Sequence, residues 1–287
     1  MVGDPKWGGL ARRAAGRLEE GGSGASSTWR EVMAAAREEA ERHGPTDRSI
    51  DEWVRVDEVR DEASNAVSRG RRPAADDRVE LEDEVRVELN RSVGPTRAPR
   101  LEQRLADATR AFGAERYGDA ARILRKLAEE APRVAAVREL YGLTLYRQGK
   151  WRPAVKELEA FRMLTASTEQ HPVLADCYRA QGDTATVDEL WEELRSASPS
   201  AELVVEGRIV VAGSLADRGN LPGAIRVLEQ GWRMPRRPRD HHLRRAYALA
   251  DLYERAGDVA RARELFGRLA AADPAFADVR TRLHALN

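Results

Sequence analysis

The chain has 287 residues, 42% of them hydrophobic, enough for one large or two small domains. Its 48 basic and 48 acidic side chains cancel, which excludes a strong overall pull on nucleic acid or on a charged membrane. The single cysteine excludes an internal disulfide, and no run approaches the ~18 apolar residues a membrane span needs.

The first hundred residues differ from the rest. Trp7, Leu10, Ala14 and Leu18 line one side of a short helix whose other side holds Arg12, Arg13 and Arg17. That segment is either a basic anchor for an acidic partner or membrane surface, or a frayed terminal helix. Residues 21–26 have the composition of a flexible linker. Thr28 with Glu31, and Ser49 with Glu52, have capping-box spacing and open two short helices. The first runs to about His43 and stops at Gly44-Pro45; the second carries Trp53, Val56, Val59 and Ala63 and ends at residues 69–73. Both are highly charged and thinly apolar. Residues 1–78 are therefore expected to form a mostly disordered arm with short amphipathic helices, in which Trp29 and Trp53 either anchor partners or dock on the protein itself. The repeat domain is expected over 79–287. Leu81, Val85 and Leu89 predict a helix over 79–93, closed by Gly94-Pro95. With Ala98-Pro99 as spacer, it should pair with a helix over 101–112 as an N-terminal lid on the stacked repeats.

Residues 141–161 set the pattern. Tyr141, Gly142 and Leu145 lie on one helix, Gly149 makes the turn, and Trp151, Ala154, Val155, Leu158 and Phe161 lie on the next. The turn glycine returns at 182, 219 and 257. Seven residues before each stands a small residue (Gly142, Ala175, Ala212, Ala250). Five after stand Ala154, Val187, Ala224 and Ala262, and nine after stand Leu158, Trp191, Leu228 and Phe266. A weaker upstream copy has Tyr117, Ala120, Leu124, Leu127 and Pro132, with Glu115 at the glycine position. Between positions 120, 154, 187, 224 and 262 the spacing is 34, 33, 37 and 38 residues. A period near 34 with this small-residue pattern resembles the tetratricopeptide repeat over roughly residues 101–287. The preference for Arg over Lys suits a GC-rich genome and relatives of bacterial type. The resemblance implies an all-α, right-handed superhelical solenoid of about five helix pairs. After Pro274, residues Phe276, Val279, Leu283 and Leu286 should form its C-terminal capping helix.

In such a solenoid the first helix of each pair lines an inner groove. Positions 13, 10, 6 and 3 before each turn glycine share that face. They are Ala136, Glu139, Leu143, Tyr146; Glu169, Pro172, Asp176, Arg179; Glu206, Ile209, Gly213, Ala216; and Arg244, Tyr247, Asp251, Glu254. Glu139, Tyr146, Arg179, Arg244, Tyr247, Asp251 and Glu254 are the expected partner-binding residues; of these Tyr146, Arg179, Tyr247, Asp251 and Glu254 avoid the stack-forming positions and should be replaceable at little cost in stability. The Lys/Asn clamp with which some family members hold a chaperone's carboxylate is missing. Residues 231–242 hold a second candidate, with Arg233, Arg236, Arg237 and Arg239 as a basic contact loop or a plain solvent-facing connection.

No catalytic or nucleotide-binding motif is present. His241 and His242 should point about 100° apart on a helix, too divergent to chelate one ion. Cys177, within a helix, reads as a buried structural thiol. The expected function is a cytoplasmic, non-enzymatic scaffold without cofactor or metal, binding a protein or peptide segment in the groove. The alternative is a nucleic-acid-associated protein using the Arg loop and the basic N-terminal segment. No membrane span is expected.

Overall fold

The computed structural model describes residues 81–286. The expected arm over 1–78, with its linker, short helices and tryptophans, lies outside the described residues, as do residues 79 and 80 of the predicted lid helix.

Twelve helices and no strand occur among the described residues. They are α1 (Asp83–Val93), α2 (Ala98–Gly113), α3 (Tyr117–Glu130), α4 (Ala135–Arg147), α5 (Trp151–Thr165), α6 (His171–Ala180), α7 (Thr184–Ala197), α8 (Ala201–Asp217), α9 (Leu221–Glu229), α10 (Asp240–Arg255), α11 (Val259–Ala272) and α12 (Val279–Ala285). From α2 to α11 they form five antiparallel pairs.

One turn joins the two helices of every pair. Gly149, Gly182, Gly219 and Gly257 have φ of 70°, 80°, 80° and 79°, the left-handed region that ends a helix at little cost only in glycine. The residue after each donates its backbone N–H to the carbonyl five positions back: Lys150 to Leu145, Asp183 to Tyr178, Asn220 to Leu215, Asp258 to Tyr253. The degenerate copy keeps the geometry without the residue. Glu115 takes φ 56°, and Arg116 donates to Ala111 in the same way. In the last three pairs the residue after the glycine also caps the second helix: Asp183, Asn220 and Asp258 accept from Thr186, Gly223 and Arg261.

The small residues stand where the helices of a pair touch. Ala108, Ala120, Ala154, Val187, Ala212, Ala224, Ala250 and Ala262 are fully buried. At Gly142 a Cβ would lie 2.6 Å from Leu158 Cγ and 3.2 Å from its backbone nitrogen, so only glycine permits this approach. The central helix α8 buries residues all round because α6, α7, α9 and α10 surround it.

First helices also pack on first helices: α2 on α4, α4 on α6, α6 on α8 and α8 on α10. Successive second helices approach less closely and meet through long side chains, as where Arg162 in α5 reaches Glu193 in α7 and Arg261 in α11 reaches Glu229 in α9. The stack is therefore drawn together along its first helices and splayed along its second, which gives a solenoid with the first helices on the inside. At the start, α1 lies on α2 as expected, and Glu88 accepts the N–H of Ala135 at 2.9 Å.

Two boundaries move. Pro99 lies in the first turn of α2 and is no spacer, because a helix needs no N–H there. The closing helix is shorter than expected. Phe276 is buried in the turn before it, Ala277 has φ 46°, and α12 begins only at Val279.

Candidate functional site

The polar positions assigned to the groove bond from one first helix to the next and are largely occupied with one another. Tyr146 in α4 is 4% exposed. Its hydroxyl donates to Asp176 Oδ2 in α6 at 2.8 Å, and its ring sits edge-on to Trp151. Asp176 accepts in turn from Arg179 Nε at 2.9 Å, and Arg179 Nη1 reaches across to Asp217 in α8 at 2.7 Å. One polar chain thus crosses three helix pairs. Burial, reinforced by Asp176, pushes the Tyr146 phenol well above its ordinary pKa, so it stays a donor.

The same arrangement recurs on either side. Gln170 donates to Glu139 at 2.8 Å. Arg244 in α10 donates to Glu206 in α8. Tyr247 is 1% exposed, with its ring edge-on to Phe266 and its hydroxyl on Asp278. Asp251 and Glu254 accept from Arg282 in α12 at 2.9 and 2.6 Å. Burial opposes the charge on Arg282, but the bonds to these two carboxylates outweigh it and raise its pKa.

These contacts correct one expectation. Tyr146, Arg179 and Tyr247 do not stand clear of the packing, and replacing them will not be neutral. The inner face of a first helix is also the face by which it meets the next first helix, and the close approach covers the larger side chains. What the row offers outward is carboxylate. The side chains of Asp217, Asp251 and Glu254 remain 31%, 18% and 32% exposed. Asp217, Asp278 and Arg282 were missed from the spacing. Asp217 lies two residues before its glycine, and α12 lies beyond the last repeat, yet Arg282 in it and Asp278 just before it bond to α10 as a further first helix would.

The basic loop is separate. Arg233, Arg236 and Arg237 are exposed and make no ion pair among the described residues, whereas Arg239 lies 3.4 Å from Glu202. The histidines also differ from expectation. Their rings do not diverge but lie 3.9 Å apart, because they occupy the first turn of α10. There His242 Nδ1 turns back to accept from the Arg239 N–H at 3.1 Å, and His241 Nδ1 lies 3.5 Å from Glu202. Cys177 is fully buried, and burial pushes its thiol well above the ordinary value, away from nucleophilic use. Among the described residues no group of three or more metal-donor side chains comes together, and no helix is long and apolar enough to cross a membrane.

The tetratricopeptide repeat family model matches residues 246–275, which span most of α10 and α11. A solved structure of a thermophilic TPR protein from Thermus thermophilus superposes with a TM-score of 0.51 at 17% identity, over 65% of this chain and 98% of that one. The TPR domain of P58(IPK) aligns with a TM-score of 0.31 at 16% identity, over 67% and 66%. No curated protein sequence matches the chain.

Proposed function

From a tetratricopeptide-repeat fold in which one repeat matches the family's own model, we propose that this protein is a non-enzymatic scaffold holding a segment of a partner protein along its inner row of first helices. Folds of this kind generally serve as protein–protein interaction scaffolds. The observation that carries the reading is the side-by-side packing of α2, α4, α6, α8 and α10, which presents one face from five successive pairs to a single extended ligand. Glu139, Arg179, Arg244, Asp251 and Glu254 line that face, with Asp217 added. Tyr146 and Tyr247 support it from beneath by fixing Asp176 and Asp278. The partly exposed carboxylates set register, while backbone and apolar contact supply area.

The test uses photo-crosslinking residues, with melting curves to show that each variant stays folded, since Asp217 and Glu254 each accept from an arginine of the row. Placed at Asp217 or Glu254 they should capture a partner in the native cell. Placed at Glu189 or Arg268, exposed on the second helices α7 and α11, they should not. Capture only from the second helices would overturn the reading.

A further inference from the structure

The second helix α9 is 9 residues long, where α3, α5, α7 and α11 have 14 or 15. Its early end leaves carbonyls without helical partners, and two arginines from different helices take them. Arg208 in α8 donates Nη1 to the Val227 carbonyl at 2.9 Å and to Gln230 Oε1 at 3.2 Å. Arg245 in α10 donates to the Leu228 carbonyl at 2.9 and 2.7 Å and to the Gln230 carbonyl at 2.6 Å. Each guanidinium also lies over a tryptophan, Arg208 on Trp191 and Arg245 on Trp232, both at 5.4 Å. Neither meets a carboxylate among the described residues. Burial first, and then the neighbouring Arg208 cation, lowers Arg245 to about 10. Arg208 is lowered by burial and by Arg195.

The loop after α9 adds to this charge in an ordered way. Trp232, Met234, Pro235 and Pro238 turn inward and are half-buried, with Trp232 and Met234 packed on the core of the last two pairs. Arg233, Arg236 and Arg237 between them turn outward. The arginines are therefore held out on an anchored strap whose two prolines fix part of its backbone. The nearest candidate for a counter-charge, Glu229, is already held by the Tyr253 hydroxyl at 2.6 Å and by Arg261 at 3.1 Å. Arg208 is two residues beyond Glu206 on α8, and Arg245 is one beyond Arg244 on α10. At about 100° per residue both turn away from the Glu206–Arg244 rung. The cationic edge is thus distinct from the inner row.

We propose that the exposed Arg233, Arg236 and Arg237 of this strap are a docking surface for the phosphate backbone of a single-stranded nucleic acid, while Arg208 and the buried Arg245, whose donors are held by backbone carbonyls, add only their charge from behind. Arginine forks pair bidentately with phosphate oxygens. A phosphodiester chain repeats its charge at every link and so meets a fixed array in any register, whereas an acidic peptide has to match it residue by residue. Arg208 and Arg245 already cover the faces of the two tryptophans, so base stacking is not on offer and recognition is independent of sequence. The molecule as a whole carries no net charge, so the attraction is local to this edge.

The experiment measures binding of the full chain to a fluorescein-labelled 20-nucleotide oligouridylate by anisotropy at two salt concentrations. Wild type should bind. The variant Arg233→Ser/Arg236→Ser/Arg237→Ser, altered only at exposed positions, should bind at least tenfold more weakly, with a log–log salt slope shallower by about 2. The control Arg125→Ser/Arg152→Ser/Arg280→Ser removes equal charge from exposed positions elsewhere and should change affinity less than twofold. No binding by wild type at the lower salt, or equal loss in the two variants, would overturn the proposal. So would tighter binding of a labelled polyglutamate than of the oligouridylate, which would make the edge a site for acidic protein. None of these outcomes bears on crosslinking from the inner row, so the two readings fail separately.

Discussion

Gly142 shows how a single residue governs a helix pair. A methyl group there would fall within 2.7 Å of two Leu158 side-chain carbons, so Gly142→Ala should destabilise by about 1–3 kcal/mol through overpacking. Gly267, also helical, has nothing within 4 Å of an added Cβ, and Gly267→Ala should stabilise by up to about 1 kcal/mol. Melting curves of the two variants should shift in opposite directions; a shift of the same sign in both would remove the case for close approach. Tyr247 makes the complementary point. Its ring is enclosed and its hydroxyl satisfies Asp278, so Tyr247→Phe should cost about 1–2 kcal/mol and Tyr247→Ala about 3–5. Both are read by denaturant unfolding, and a cost below about 0.5 kcal/mol for the alanine would contradict the packing. The spacing of Tyr146 and Tyr247 put their hydroxyls on the side from which each reaches the following unit, at Asp176 and Asp278. It did not reveal their burial, because a helical period reports direction from the axis and not the distance to the next helix.

At the scale of the element, the first turn of α10 is the segment most exposed to pH. His241 lies in that turn, where the helix dipole disfavours a cation. Burial and then His242 lower the pKa of His241, with Arg239 adding to them and Glu202 and Asp240 opposing. On the same two helices, α8 and α10, Glu206 and Arg244 neutralise each other in an ion pair, and Arg245 is held by the Leu228 and Gln230 carbonyls. The folded value lies below the ordinary 6.5, so as pH falls through 6.5 the unfolded chain takes up the proton first and stability drops. The melting temperature should therefore fall between pH 7 and 5.5, and by less in His241→Gln. Equal slopes in the two proteins would count against this account. Glu115 offers a second test. It holds the left-handed turn that glycine holds in the other four pairs, so Glu115→Gly should raise stability by about 1 kcal/mol in thermal melts. The register of Tyr117, Ala120 and Leu124 made that turn legible despite the missing glycine. The boundaries of α2 and α12 were less legible. Pro99 resembles a breaker until the helix start is known, and the seven residues of α12 are too few for a periodic signal.

For the molecule as a whole, the number and order of the pairs could be read because each repeat writes the same contacts at nearly the same interval. The links between pairs could not. Asp217, Asp278 and Arg282 meet partners 28 to 38 residues away, and no local pattern announces which carboxylate a given arginine will choose. The cationic edge was half visible. The loop arginines stood out in the sequence, but nothing in the spacing singled out Arg208 and Arg245, which the short α9 brings together.

The chain of bonds from Tyr146 through Asp176 and Arg179 to Asp217 has a mechanical meaning as well. It runs along one side of a curved rod, where it acts as a tie, while on the opposite side the bonds between successive second helices, Arg162 to Glu193 and Arg261 to Glu229, are isolated pairs and among the described residues do not link into a chain. A rod tied on one side resists being straightened, since straightening lengthens the tie, and yields more readily to sideways bending and torsion, which do not. A ligand seated on the tied side therefore meets a surface of nearly constant pitch. The compliance of the rod lies in directions that leave that pitch unchanged.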